Sequence, residues 1–191
     1  MVMNLTDELT RLLAEPYGRE IVRWQMIRAD MPEDVSGKTL IDLGCGRGDD
    51  VRHAADEGMR AIGVDEPNAI RDARRSRDNR RGIAIFTADD LFDWPRRSGR
   101  YDFGLCLSVF ASLVEQRGRA DAEHWLRFML AHVGALYFET ELDGDGAGPH
   151  WLPDDAAVAA LLRNCGAIDV RTVTTLPVYG SEAWSTTWAA S

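Results

Sequence analysis

The stretch Thr39-Leu-Ile-Asp-Leu-Gly-Cys-Gly-Arg-Gly-Asp49 decides how the rest of the chain is read. A short run from Leu40 to Leu43 passes into glycines at alternate positions, Gly44, Gly46 and Gly48, and a helix-like segment from Asp49 to Glu57 follows at once. Strand, tight turn and helix in that order let a backbone approach a ligand closely, at a helix N-terminus where free N–H groups point outward. The spacing is GxGxG, one residue shorter than the dinucleotide fingerprint, and Asp42 stands just before the first glycine. About twenty residues on, a second apolar run, Ala61 to Val64, ends in Asp65. A carboxylate at the end of a neighbouring strand suits the two hydroxyls of a ribose.

Together these residues resemble the class I S-adenosylmethionine-dependent methyltransferases. The resemblance implies S-adenosylmethionine as cofactor and makes Asp42-Leu-Gly-Cys-Gly-Arg-Gly48 the first cofactor motif, with Gly44, Cys45, Gly46 and Gly48 against the ligand. It makes Asp65, followed by Glu66, the ribose-binding acid. An adenine-binding acid is implied within Ala88-Asp-Asp-Leu-Phe-Asp-Trp-Pro95, at Asp90-Leu91 or else at Asp89-Asp90. An aspartate there also suits a helix N-cap. Leu107 to Phe110 fall where the family's fourth strand passes the methionine end of the cofactor. The implied fold is a Rossmann-like α/β domain, with a seven-stranded, mostly parallel sheet, helices on both faces and an antiparallel C-terminal strand.

Outward from that centre, residues 1–37 read as an N-terminal helical cap on the domain formed by residues 38–191. Thr6 opens one helix and Pro16 stops it; a second runs from Gly18 to Asp30. The resemblance makes Tyr17, Arg23 and Trp24 candidate lid residues, against the plainer reading that Trp24 packs on the sheet. Further strands are expected at Arg60–Val64, Gly82–Thr87 (as a buried strand), Tyr101–Phe110, Gly134–Glu139, Ile168–Thr174 and Ala183–Ala189, with the last two as an antiparallel closing pair joined by Thr175–Glu182. Pro67 opens an Arg-rich helix, and Arg119–His132 and Pro153–Asn164 supply two more.

Composition narrows the class. A chain of 191 residues buries a substantial core, and no apolar run approaches the roughly 18 residues that span a bilayer. The first residues lack the basic start and apolar centre of a signal peptide. Cys45, Cys106 and Cys165 are odd in number and unclustered, so no disulfide framework or zinc site is suggested and a reducing cytoplasm is the expected home. A net charge of −9 argues against a protein that holds nucleic acid through its phosphates. The run Arg71 to Arg81 departs from this, with six arginines against two aspartates. It reads as a solvated helix and loop, or as a patch for an acidic partner or RNA.

Methyl transfer from a sulfonium is an in-line displacement in which the protein chiefly holds donor and acceptor aligned and dry. A phenol or alcohol acceptor is helped by a base, whereas an amine need only be neutral. The acidic groups and imidazole expected on the binding edge are Glu139, Glu141 and His150, with Glu139 and His150 the candidates for such a base. Glu139 also reads as a satisfied strand-end carboxylate, and His150 as a residue merely exposed on a glycine-rich loop. Glu141-Leu-Asp-Gly-Asp-Gly146 brushes against a calcium loop but has Leu152 where a bidentate glutamate is required, so no metal is expected. The acceptor expected is a small molecule. The second reading is an RNA substrate, from a loose likeness of Asp102–Phe110 to the tRNA wobble-uridine modifying branch and from Arg71–Arg81 with Arg96, Arg97 and Arg100. The third is a cofactor-binding module without turnover. The Asn-Pro-Pro-Tyr type of sequence that marks base-amine methylation is replaced by Ser108-Val-Phe110.

Overall fold

The computed structural model describes residues 11–13, 15, 18–74, 82–94, 99–140, 142, 150–177 and 184–191. The Thr6 cap, Tyr17, residues 75–81 of the arginine run, Arg96, Arg97, Glu141 and the glycines 144, 146 and 148 lie outside these. Helix α1 spans Gly18–Asp30 and precedes β1 (Thr39–Leu43), α2 (Asp49–Asp56), β2 (Arg60–Asp65) and α3 (Pro67–Ala73). There follow β3 (Ile83–Ala88), β4 (Tyr101–Leu107), α4 (Phe110–Arg117), α5 (Arg119–His132) and β5 (Val133–Glu139). Helix α6 (Asp155–Asn164), β6 (Val170–Pro177) and β7 (Trp184–Ala190) complete the order. The seven strands form one sheet in the order β3-β2-β1-β4-β5-β7-β6. The first five pair in parallel, and β7 runs antiparallel between β5 and β6. This is the expected fold class.

Strand periodicity sorts the core into two layers. Ile41, Leu43, Cys106, Leu136, Phe138 and Trp188 face one side, against Phe110, Leu113, Trp125, Leu126 and Leu162 of α4, α5 and α6. Leu40, Phe103, Leu105, Tyr137 and Ala189 face the other, against Trp24 and Ile27 of α1, Val51 of α2 and Ile70 of α3. Both faces of the central strands are thus covered, which is why β1, β4 and β5 read as nearly unbroken apolar runs. Trp24 is a core residue, 5% exposed and stacked on His53 at 5.8 Å between ring centroids.

The same period places three polar groups on the α1 side. Asp42 follows Leu40 by two, Glu139 follows Tyr137 by two, and Thr187 precedes Ala189 by two. Helix α1 is fastened at its C-terminal end too. Tyr137 donates its hydroxyl to Asp30 Oδ2 at 3.0 Å, and Arg171 of β6 grips both Asp30 oxygens at 2.7 and 3.2 Å. Arg28 donates to the carbonyls of Pro32 and Glu33, closing the helix where Pro32 prevents its continuation.

Four expectations are corrected. The strand after the arginine run is the sheet's edge and not buried, with Ile83 and Ile85 50% and 48% exposed, because among the described strands β3 pairs with β2 alone. The fourth strand stops at Leu107, because Ser108 turns the chain with a φ of 59° and α4 begins at Phe110. The sixth strand begins at Val170 and takes in Thr175 to Pro177, assigned above to a connector, since these pair with Ser185, Thr186 and Trp184 of β7. Asp154 caps α6 by accepting from the Ala157 N–H at 2.8 Å, so that helix starts two residues later than expected.

Replacing Tyr137 with Phe is expected to lower the free energy of unfolding by about 1 kcal/mol, because it removes one hydrogen bond and leaves Asp30 paired with Arg171. Asp30→Ala removes the Tyr137 acceptor and both Arg171 bonds to it, leaving Arg171 paired with Asp169, and should cost about 2 kcal/mol. Urea titrations distinguish the two; an Asp30→Ala loss no greater than that of Tyr137→Phe would contradict the shared anchor.

Candidate functional site

The parallel strands deliver their C-terminal ends to one edge, and the glycine turn lies on it. Gly44, Gly46 and Gly48 have positive φ of 81°, 51° and 75°. The turn is sewn to β2, with the Gly44 and Cys45 N–H groups donating to the Val64 carbonyl at 2.9 and 3.2 Å. The Gly46 N–H donates to Asp65 Oδ2 at 2.7 Å, while Oδ1 accepts from the Glu66 N–H at 2.7 Å. Asp65 therefore braces the turn and stands at the ligand edge together.

The glycines differ in what surrounds them. A Cβ on Gly44 would lie 2.2 Å from Val109 Cγ2, so this residue lets the β4–α4 turn close against the loop. A Cβ on Gly46 would meet nothing within 4 Å. The bare turn is packed on one side and open on the other. Cys45 is turned inward toward Gly63, whose Cβ would stand 2.8 Å from its sulfur, and burial and the Asp42 charge push its thiol pKa up. Burial likewise drives the Asp42 carboxyl well above the usual carboxylate range, reinforced by Asp50.

An open cleft of about 620 Å³ runs from the turn between the β2 and β4 ends. Its walls include Gly44, Asp65, Glu66, Asp89, Asp90 and Leu91, six of the residues expected from the sequence. Asp42, Cys45 and Leu107 are 4%, 9% and 8% exposed and lie beneath the turn, outside the cleft lining. Gly46 and Gly48 belong to the turn itself. Asp90 has two engagements: Oδ1 accepts from the Phe92 N–H at 2.8 Å, capping a tight turn where a helix N-cap was weighed, and Oδ2 pairs with Arg117 at 3.3 Å.

Glu139 is deeply engaged at the same edge. Its Oε1 accepts from Arg19 Nη2 at 2.8 Å, Ser108 Oγ at 2.7 Å and Arg23 Nη1 at 3.4 Å; Oε2 accepts from Thr187 Oγ1 at 3.1 Å. Burial would raise its pKa, but Arg23 and Arg19 outweigh burial and hold it below the ordinary glutamate range. Arg23 reaches on to Asp50 of α2 at 3.3 Å. A carboxylate 1% exposed with four side-chain partners and a depressed pKa is a poor proton acceptor, which supports the satisfied reading of Glu139 over the base. Arg23 is likewise tied into this network, 7% exposed. His150 is exposed in a turn and is not among the described residues lining the cleft. Its neighbour Trp151 packs edge-on to Phe110, under Arg119 at 4.0 Å.

Of the stretch expected beside the cofactor, Ser108 and Val109 line the cleft; the sequence reading missed Ser112, Leu113 and Gln116, which line it too. The signal was present in Phe110-Ala-Ser-Leu-Val-Glu-Gln-Arg117, good helix formers closed by Gly118 at φ 84°. The Arg19, Arg23 and Glu139 cluster had no such signal, because its members stand 116 and 120 residues apart.

The contrast between the glycines is testable by urea unfolding. Gly44→Ala is expected to cost about 2–4 kcal/mol, combining left-handed strain with the Val109 collision. Gly46→Ala should cost only about 1–2 kcal/mol, from strain alone. Equal losses would contradict the open space beside Gly46.

Residues 40–133 match the family model of a methyltransferase domain. No curated protein matches the chain in sequence. Among solved structures, the bifunctional kinase-methyltransferase WbdD superposes with a TM-score of 0.78 at 18% identity, over 93% of this chain and 40% of that one. The chain thus spans about two-fifths of the WbdD chain it matches. Magnesium protoporphyrin IX methyltransferase (ChlM) from Synechocystis PCC 6803, solved with bound SAM, superposes with a TM-score of 0.64 at 17% identity, over 100% of this chain and 85% of that one. EvdMO1 gives 0.63 at 16% identity, over 88% and 40% of the two chains. The family match over residues 40–133 identifies a methyltransferase domain there, and the glycine turn, the braced acid after β2 and the sheet order are consistent with the class I S-adenosylmethionine-dependent methyltransferases.

Proposed function

We propose that this protein transfers a methyl group from S-adenosylmethionine to a small-molecule acceptor, at nitrogen or oxygen. The observation that carries the reading is the pairing of a bare, open Gly46 with the Asp65 carboxylate at the head of the cleft. Gly46 lets a nucleoside approach the main chain, and Asp65 offers lone pairs to ribose hydroxyls, which donate to a carboxylate. Glu66 extends the acidic edge, and Asp89, Asp90 and Leu91 form the wall on which an adenine amino group and ring would rest. Asp42, Cys45 and Leu107 serve from beneath, by supporting the turn, and Gly48 shapes it from within.

The cofactor brings its own activated methyl, so the chain's contribution is to hold and align it. Glu139 contributes by position, joining α1 to the ends of β4, β5 and β7, and carries no base role. The acidic cleft supports a small molecule over a polyanion, since Asp65, Glu66, Asp89 and Asp90 line it and no Lys or Arg is among its described lining residues.

Isothermal titration with S-adenosylmethionine is expected to give micromolar-range binding that Asp65→Ala abolishes, and that Gly46→Ala abolishes while the protein stays folded by circular dichroism. Incubation of labelled cofactor with cell fractions split into small molecules, RNA and protein should then place label in the first. Label in RNA would replace the acceptor proposed here, and retained binding by both variants would remove the cofactor assignment of this turn.

A further inference from the structure

Ser108 follows β4 in the left-handed region, a conformation unfavourable for a non-glycine side chain that persists where surroundings over-determine it. What determines it here is Glu139. The Ser108 N–H donates to the Glu139 carbonyl at 3.0 Å and the Ser108 hydroxyl to Glu139 Oε1 at 2.7 Å, so both of the serine's hydrogens go to one residue. Yet Ser108 is exposed and lines the cleft.

The direction of the second bond follows from charge. Glu139 sits between Arg19 and Arg23 and is held ionised, and an ionised carboxylate has no hydrogen to give. The hydroxyl is therefore the donor, its one hydrogen is committed, and toward a ligand Ser108 Oγ can only accept. A group recognised there must bring an N–H or O–H. A carboxylate or phosphate oxygen would meet a lone pair instead of a hydrogen.

Two further observations narrow the donor. The cleft's charged lining residues are Asp65, Glu66, Asp89 and Asp90, with Asp90 paired to Arg117 at the rim. This environment disfavours an anionic acceptor and suits a neutral or cationic one. No imidazole is among the described lining residues, and Glu139 is unfit as a base. Methylation of an alcohol or phenol profits from a base, whereas a neutral amine attacks with its own lone pair.

Resting on the methyl-transfer reading above, we infer that the acceptor is an amine, held by an N–H donated to the Ser108 hydroxyl oxygen. The amine lone pair forms the new N–C bond, the S–C bond breaks with its electrons passing to sulfur, and the resulting ammonium releases its N–H proton to water. Ser108 is thus a positioning and specificity-determining residue.

The test combines calorimetry with the chemistry of the product. Wild-type protein is incubated with methyl-labelled S-adenosylmethionine and the small-molecule fraction of a cell extract. The label is then sorted by cation exchange at low pH and by mild alkaline hydrolysis. The expected product is retained on the exchanger and stable to base, as an N-methyl amine is. Label released as methanol (a methyl ester), or passing through as a base-stable neutral ether, overturns the inference while leaving methyl transfer standing. Failure to bind the cofactor in the calorimeter, or label in no small molecule, overturns the underlying reading and the inference with it. Ser108→Gly tolerates the positive φ and removes only the hydroxyl. It should bind cofactor as wild type does, yet raise the KM for the purified labelled species' unmethylated form about tenfold. An unchanged KM would remove Ser108 from recognition.

Discussion

A carboxylate buried at the end of β5 constrains more of this molecule than any other group. Left without partners, an ionised glutamate in that position costs several kcal/mol, and removing one member of a buried pair typically costs about 3–5 kcal/mol. Glu139 meets the demand with partners from two elements besides its own and from the turn after β4: Arg19 and Arg23 of α1, Thr187 of β7, and Ser108. Helix α1 must therefore lie where its arginines reach the sheet edge, and Ser108 must turn back toward β5. The second anchor, Asp30 with Tyr137 and Arg171, sets the other end of the helix. Of the candidate lid residues, Arg23 and Trp24 are buried against the sheet side of α1.

The same economy governs the glycine turn. Its N–H groups are spent on Val64, on Cys45 and on Asp65, and its bareness serves a close approach from two sides. Val109 occupies one side and the cleft the other. The fold thus couples the turn to the β4–α4 junction through contact and to β2 through a charged hydrogen bond. Asp42, placed beneath by strand periodicity, shares the α1 layer with Asp50 and Arg23, where burial keeps its carboxyl high in pKa.

Much of this was legible before any coordinates. The Gly44–Gly48 run announced the strand–turn–helix, Asp65 the end of β2, and the helices Gly18–Asp30 and Arg119–His132 fell at their observed limits because local periodicity and flanking breakers suffice for that. The buried character wrongly expected of β3 has a simple origin. An apolar β-branched run looks the same at an edge as at a centre, and only strand order tells them apart. The α4 helix escaped notice because the apolar run of β4 continues into it through Val109 and Phe110, and the break at Ser108 is a matter of one backbone angle.

By itself the sequence determined the family-bearing turn, the alternation of strands and helices, and the acids that reach the binding edge, since each depends on neighbours within a few residues along the chain. Tertiary structure alone decided the state of those groups. How Glu139 is partnered, where the Ser108 hydroxyl hydrogen goes, and which glycine has open space beside it are set by atoms from elements as far apart as α1 and β7. Burial and electrostatics act through space, and no local pattern in the chain records them.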